Sequence, residues 1–97
     1  MKLNFKLYSW IIKGSQRIIT VKVMEGKQRP SDICRLAKKL NPKITLNTTS
    51  DTLRDFVRMG LAKCLNEEAK TGRIYALTKQ GNLIKEELIE NKVIESL

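Results

Sequence analysis

The sequence contains no histidine and only two cysteines, Cys34 and Cys64. Histidine is the side chain that most readily supplies a general base near neutral pH. Its absence, the lack of a glycine-rich phosphate loop, and carboxylates that follow helix surfaces rather than pairing all point away from an enzyme. Two isolated thiols offer too few soft ligands for a metal site in one chain, so no metal and no cofactor are expected. Nor do they make a disulfide framework. They read as small apolar side chains, and the sequence leaves a single bridge between them open. Aromatic residues number five, mostly at positions that read as core. That argues against single-stranded nucleic acid, whose bases stack on exposed rings. No apolar run approaches the ~20 residues of a membrane span. The opening Met1-Lys2-Leu3-Asn4-Phe5-Lys6 alternates charge with apolar residues and lacks the core of a signal peptide. A cytoplasmic protein with no membrane partner is the expectation.

Charge, by contrast, is plentiful and one-sided. The chain of 97 residues is 41% hydrophobic and 30% charged, which suits one small globular domain over residues 1–97. Its 19 Lys and Arg against 10 Asp and Glu give a net charge of +9. The excess lies in residues 1–50, with 11 basic and 2 acidic side chains, while residues 51–97 carry 8 of each. A strongly basic small domain usually meets a polyanion, and nucleic acid is the first candidate.

Seven glycines and prolines punctuate the chain at Gly14, Gly26, Pro30, Pro42, Gly60, Gly72 and Gly81. Between them the apolar pattern predicts a first helix over about residues 8–24. Residues 3–7 alternate and read as a short strand or arm. A second helix, about 30–40, opens at Pro30 and carries Ile33, Leu36, Ala37 and Leu40 on one face. A third, about 47–59, places Leu53, Phe56 and Val57 near Thr49 on one side, with Asn47, Asp51, Arg54 and Arg58 on the other. Leu61–Leu65 and Arg73–Leu77 flank a polar stretch and predict a β-hairpin over 61–77. Thr78 caps a last helix over 79–96. Its apolar residues spread around the axis, so one burying surface does not suffice.

The fold class expected is α+β, in the order of a winged helix-turn-helix with a two-stranded wing. In that arrangement the second helix of the pair enters the major groove. Arg54 and Arg58 can donate paired hydrogen bonds to guanine or to phosphate. Asn47, Thr48 and Ser50, near the helix N-terminus, can bond a base edge or a phosphate oxygen. Asp51 repels phosphate but can accept from cytosine. Lys70, Thr71 and Arg73 form the basic limb of the hairpin, where a wing touches the backbone or a minor groove. The same edge also reads as an ordinary solvated helix face, with Asp51 pairing Arg54 and Asp55 pairing Arg58.

These stretches resemble archaeal winged-helix regulators related to the ArsR and MarR groups. Tyr8-Ser9-Trp10-Ile11-Ile12-Lys13-Gly14, with Gln16-Arg17 and Met24, is similar to their first helix. Ile44-Thr45-Leu46-Asn47 to Met59-Gly60-Leu61 is similar to the recognition helix. Gly60-Leu61-Ala62-Lys63-Cys64-Leu65-Asn66, Gly72-Arg73-Ile74-Tyr75 and Leu77-Thr78-Lys79-Gln80-Gly81 are similar to the wing and the start of the last helix. The resemblance implies a winged-helix fold, binding to double-stranded DNA as a homodimer, and a recognition helix at residues 47–58. It does not extend to the metal-sensing branch, which uses thiolate and imidazole ligands: here Cys34 and Cys64 stand alone with no histidine, and only a site shared across a dimer stays open.

The expectation is a sequence-specific DNA-binding transcription regulator that acts as a homodimer. The alternatives are a winged-helix module that binds protein and a non-specific chromatin-like DNA binder. The dimer is expected to be held by the last helix, through Leu88, Ile89, Val93, Ile94 and Leu97, with residues 3–12 adjoining.

Overall fold

The computed structural model describes residues 2–91. Five helices are seen: α1 (Phe5–Ile12), α2 (Ser15–Val23), α3 (Pro30–Lys38), α4 (Leu46–Arg58) and α5 (Lys79–Glu90). Between α4 and α5 lie β1 (Ala62–Cys64) and β2 (Tyr75–Leu77), an antiparallel pair with Lys63 opposite Ala76. The chain is thus α+β, and its layout is consistent with that of a winged helix.

The expected first helix over 8–24 is instead two. Asn4 caps α1, its side chain accepting from the Leu7 N–H, so residues 5–7 are helical rather than an extended arm. The break falls at Gly14, the N-cap of α2. Arg17 folds back over it. Its guanidinium carbon lies 4.2 Å from the centre of the Trp10 ring, and Nη1 donates to the Trp10 carbonyl at 2.7 Å. A Cβ on residue 14 would meet the Arg17 Cδ at 2.9 Å, so glycine leaves the room in which the arginine lies.

Pro30 occupies the first turn of α3, and Arg29 is its N-cap. Asp32 accepts from the Arg29 backbone N–H at 3.2 Å and from its guanidinium. The backbone N–H first, and then the guanidinium, hold the Asp32 carboxyl below its ordinary value. Ile33 and Ala37 are buried, as the pattern of this helix predicts, Leu36 is half-buried, and Cys34, outside that pattern, is buried as well. The helix ends at Lys38, however, and Leu40 lies in the following turn, exposed.

In α4 the cap and the inner face are both clear. Thr45 and Thr48 cap reciprocally: each side-chain oxygen accepts from the other's backbone N–H. Thr49, Leu53 and Phe56 face inward, while Val57 is exposed. The main core joins Ile11, Val21, Ile33, Phe56, Tyr75 and Ile84 from all the helices and β2. Phe56 also meets Trp10 edge to face at 6.0 Å. A smaller cluster of Ile19, Cys34, Ala37 and Ile44 sits beside it.

The hairpin is anchored at both ends. Gln28, between α2 and α3, pairs with Tyr75 through two backbone hydrogen bonds of 3.0 and 2.7 Å. This short bridge lies on the far side of β2 from β1 and ties the sheet to the start of α3. At the other end, the Leu61 carbonyl accepts from the Thr78 N–H, and the Thr78 hydroxyl donates to the Gly60 carbonyl at 2.7 Å. The Thr78 oxygen in turn accepts from the Gly81 N–H, capping α5 as expected. Gly60 has φ +78°, the left-handed conformation that closes a helix at low cost only for glycine.

Candidate nucleic-acid interface

The bridge at Gln28 brings three segments around one open cleft of about 520 Å³. Ser50 and Arg54 line it from α4, and Lys70, Thr71 and Arg73 from the hairpin loop. Five of the nine side chains expected from the sequence to contact DNA thus line one cleft. The start of α3 supplies the third wall through Arg29, Pro30 and Ser31, with Leu46 and Tyr75 between. Arg29 thus joins the expected basic residues. Its part was hidden in the sequence because it depends on the Gln28–Tyr75 pairing, which no local pattern announces.

The other expected contacts on α4 are differently placed. Asn47, Asp51 and Arg58 are exposed on α4 but do not line the cleft. The Thr48 hydroxyl is engaged inside the helix cap, accepting from the Thr45 N–H and lying 3.0 Å from the Thr45 carbonyl. That removes Thr48 from the set of free donors, and its contribution is to hold the N-terminus of α4 in shape.

Both arginines of α4 are paired within the helix. Arg54 Nη2 contacts Asp51 Oδ1, and Arg58 Nη2 contacts Asp55 Oδ1 at 3.0 Å. The solvated-face pairing open in the sequence is therefore what the unliganded helix displays. Such exposed i, i+3 pairs contribute only about 0.2–0.5 kcal/mol. Pairs this weak leave the arginines free to exchange the aspartate for a phosphate or a guanine edge.

The hairpin loop is closed by its own side chains. Arg73 Nε donates to the Ala69 carbonyl at 2.9 Å, and Nη2 to the Glu67 carbonyl at 3.5 Å. Asn66 Nδ2 donates to the Gly72 carbonyl at 3.1 Å, while its Oδ1 accepts from the Ile74 N–H at 2.7 Å. Arg73 therefore keeps its charge beside the cleft while its donors bind the loop. Lys70, among the described residues, has no ion-pair partner.

The expected dimer surface changes most. Leu88 is 0% exposed in the core of a single chain, packed with Ile11 and Ile84. It is therefore unavailable to a partner: the helix turns Leu88 inward and Ile89 outward. Ile89 is 54% exposed and lines a shallow cleft of about 390 Å³ with Leu3, Leu83 and three glutamates. Val93, Ile94 and Leu97 lie outside the described residues. Phe5, in the stretch 3–12 expected to adjoin the dimer surface, is 73% exposed on α1. Cys34 is buried and Cys64 half-buried, and both are free thiols. Among the described residues no helix is long and apolar enough to cross a membrane.

Comparison with family models, curated proteins and solved structures finds no match to this chain.

Proposed function

We propose that the chain is a winged-helix protein that binds double-stranded DNA and regulates transcription as a homodimer. The observation that carries this reading is the convergence of Arg29, Arg54, Lys70 and Arg73 on one cleft between α4 and the hairpin loop. In this reading α4 is the recognition helix and the loop is the wing. A duplex laid across the cleft meets the polar edge of α4 in its major groove and the loop at the flanking backbone. Ser50 and Arg54 reach base edges or phosphate from one wall, and Lys70 and Thr71 reach phosphate from the other. The net charge of +9 supplies the long-range attraction. The homodimer rests on Ile89, Leu83 and Leu3, which line one cleft.

The pairing of Arg54 and Arg58 with aspartates favours a second reading, a module that binds protein through the same face. Titration of labelled duplexes, including the upstream region of the gene, at two salt concentrations separates them. Tight binding to one fragment with a steep salt dependence supports a sequence-specific regulator. Equally steep binding to every fragment supports a chromatin-like binder, and no binding at low salt supports the protein module.

A further inference from the structure

Lys70 and Thr71 sit at the tip of an eight-residue excursion, 66–73, that contains no regular structure of its own. A loop of that kind ordinarily samples many conformations, and ordering it on contact with a ligand costs affinity. Here Asn66 spans its neck, beside the bonds that Arg73 makes to the Ala69 and Glu67 carbonyls. Asn66 stands directly after the strand region, where Leu65 N–H still donates to the Ile74 carbonyl at 2.8 Å. Its amide then bonds the opposite limb twice, giving Nδ2 to the Gly72 carbonyl and taking the Ile74 N–H at 2.7 Å. Its own carbonyl accepts from the Ala69 N–H at 3.0 Å, turning the first limb inward. Gly72, at φ +68°, provides the left-handed residue that lets its carbonyl meet the asparagine.

We infer that Asn66 is a positioning residue, which holds the hairpin loop in its binding shape before the ligand arrives and so aims Lys70 at the cleft. The inference rests on the DNA-binding reading of that cleft. Asn66 does not line the cleft and carries no charge. Its effect on binding therefore runs through Lys70 and its neighbours rather than through a contact of its own.

Two measurements on the full chain test this. The first is amide exchange at Ile74 in the free protein. Asn66→Ala, which removes the acceptor, speeds it, and Asn66→Asp, which keeps an acceptor oxygen, restores part of the protection. Unchanged exchange in Asn66→Ala overturns the latch. The second is a double-mutant cycle on duplex affinity with Asn66→Ala and Lys70→Ala. Asn66→Ala is expected to weaken binding about tenfold, the size of one lost hydrogen-bonded constraint. Adding it to Lys70→Ala is expected to cost much less than tenfold, because both act through one contact. Independent multiplication of the two effects overturns the inference, since a general loss of stability would behave that way. If Lys70→Ala weakens binding and Asn66→Ala does not, the inference alone fails. If Lys70→Ala is without effect, the DNA reading of the loop fails and the positioning role falls with it.

Discussion

Gly81 shows how far one missing side chain can organise a small domain. It lies in the first turn of α5, where alanine would ordinarily favour the helix by about 1 kcal/mol. A Cβ there, however, would run into the Leu61 carbonyl oxygen and stand 3.0 Å from a Leu77 methyl. The oxygen is backbone and already accepts from Thr78, so it cannot simply step aside. Overpacking of this kind costs about 1–3 kcal/mol, and a backbone clash belongs at the upper end. Gly81→Ala is therefore expected to lower the melting temperature by about 10 °C, as followed by circular dichroism. An unchanged or higher value would mean that α5 sits further from the hairpin than described. Thr49 makes the opposite case. It is 2% exposed on the inner face of α4, and its hydroxyl has no hydrogen-bond partner among the described residues. Thr49→Val keeps the shape and removes the unpaired group, so denaturant unfolding should show a gain of about 1 kcal/mol. A loss would reveal a bond to that hydroxyl.

At the scale of elements, α4 and the hairpin act as two jaws, and the contributions of their cations should differ by position. Arg54 lines the cleft, whereas Arg58 lies one turn further along and outside it. Removing either also frees an aspartate to repel phosphate. Arg54→Ala is expected to weaken duplex binding by about 1–3 kcal/mol, Arg58→Ala by less, and Lys6→Ala on α1 by little. Equal losses for all three, measured in parallel titrations, would put the contact on another face. The elements that carry this site were legible because they are locally coded. The apolar spacing of α3 and α4, the first-turn Pro30, the cap at Thr78, and the polar stretch between two strand-like runs each declare themselves within a dozen residues. What was not legible depends on contacts distant in sequence. The α1–α2 break is the exception, since Gly14 and the Arg17–Trp10 contact that mark it are local, but the apolar pattern runs on across them. The third wall of the cleft rests on Gln28 meeting Tyr75. Leu88 and Ile89 are adjacent and equally apolar, and only the packing of α5 against α1 and α2 decides which is core.

For the whole molecule, the two faces have different chemistry. One gathers the cleft cations, and the other presents Leu3, Leu83 and Ile89 among Glu86, Glu87 and Glu90. The proposed dimer uses the second face and leaves the first open to DNA. Sedimentation at micromolar concentration is expected to show a dimer, and Ile89→Lys should shift it toward monomer. A monomeric wild-type chain would remove the dimer from the account without touching the cleft.

The central claim is that α4 and the hairpin loop engage a duplex as one surface. The most direct test is to map backbone amide shifts of isotope-labelled protein during titration with a binding duplex. The account predicts that the largest changes cluster at Ser50, Arg54, Lys70 and Thr71, with the surroundings of Leu83 and Ile89 little affected. Changes centred on Leu3, Leu83 and Ile89, with a silent hairpin loop, would contradict it.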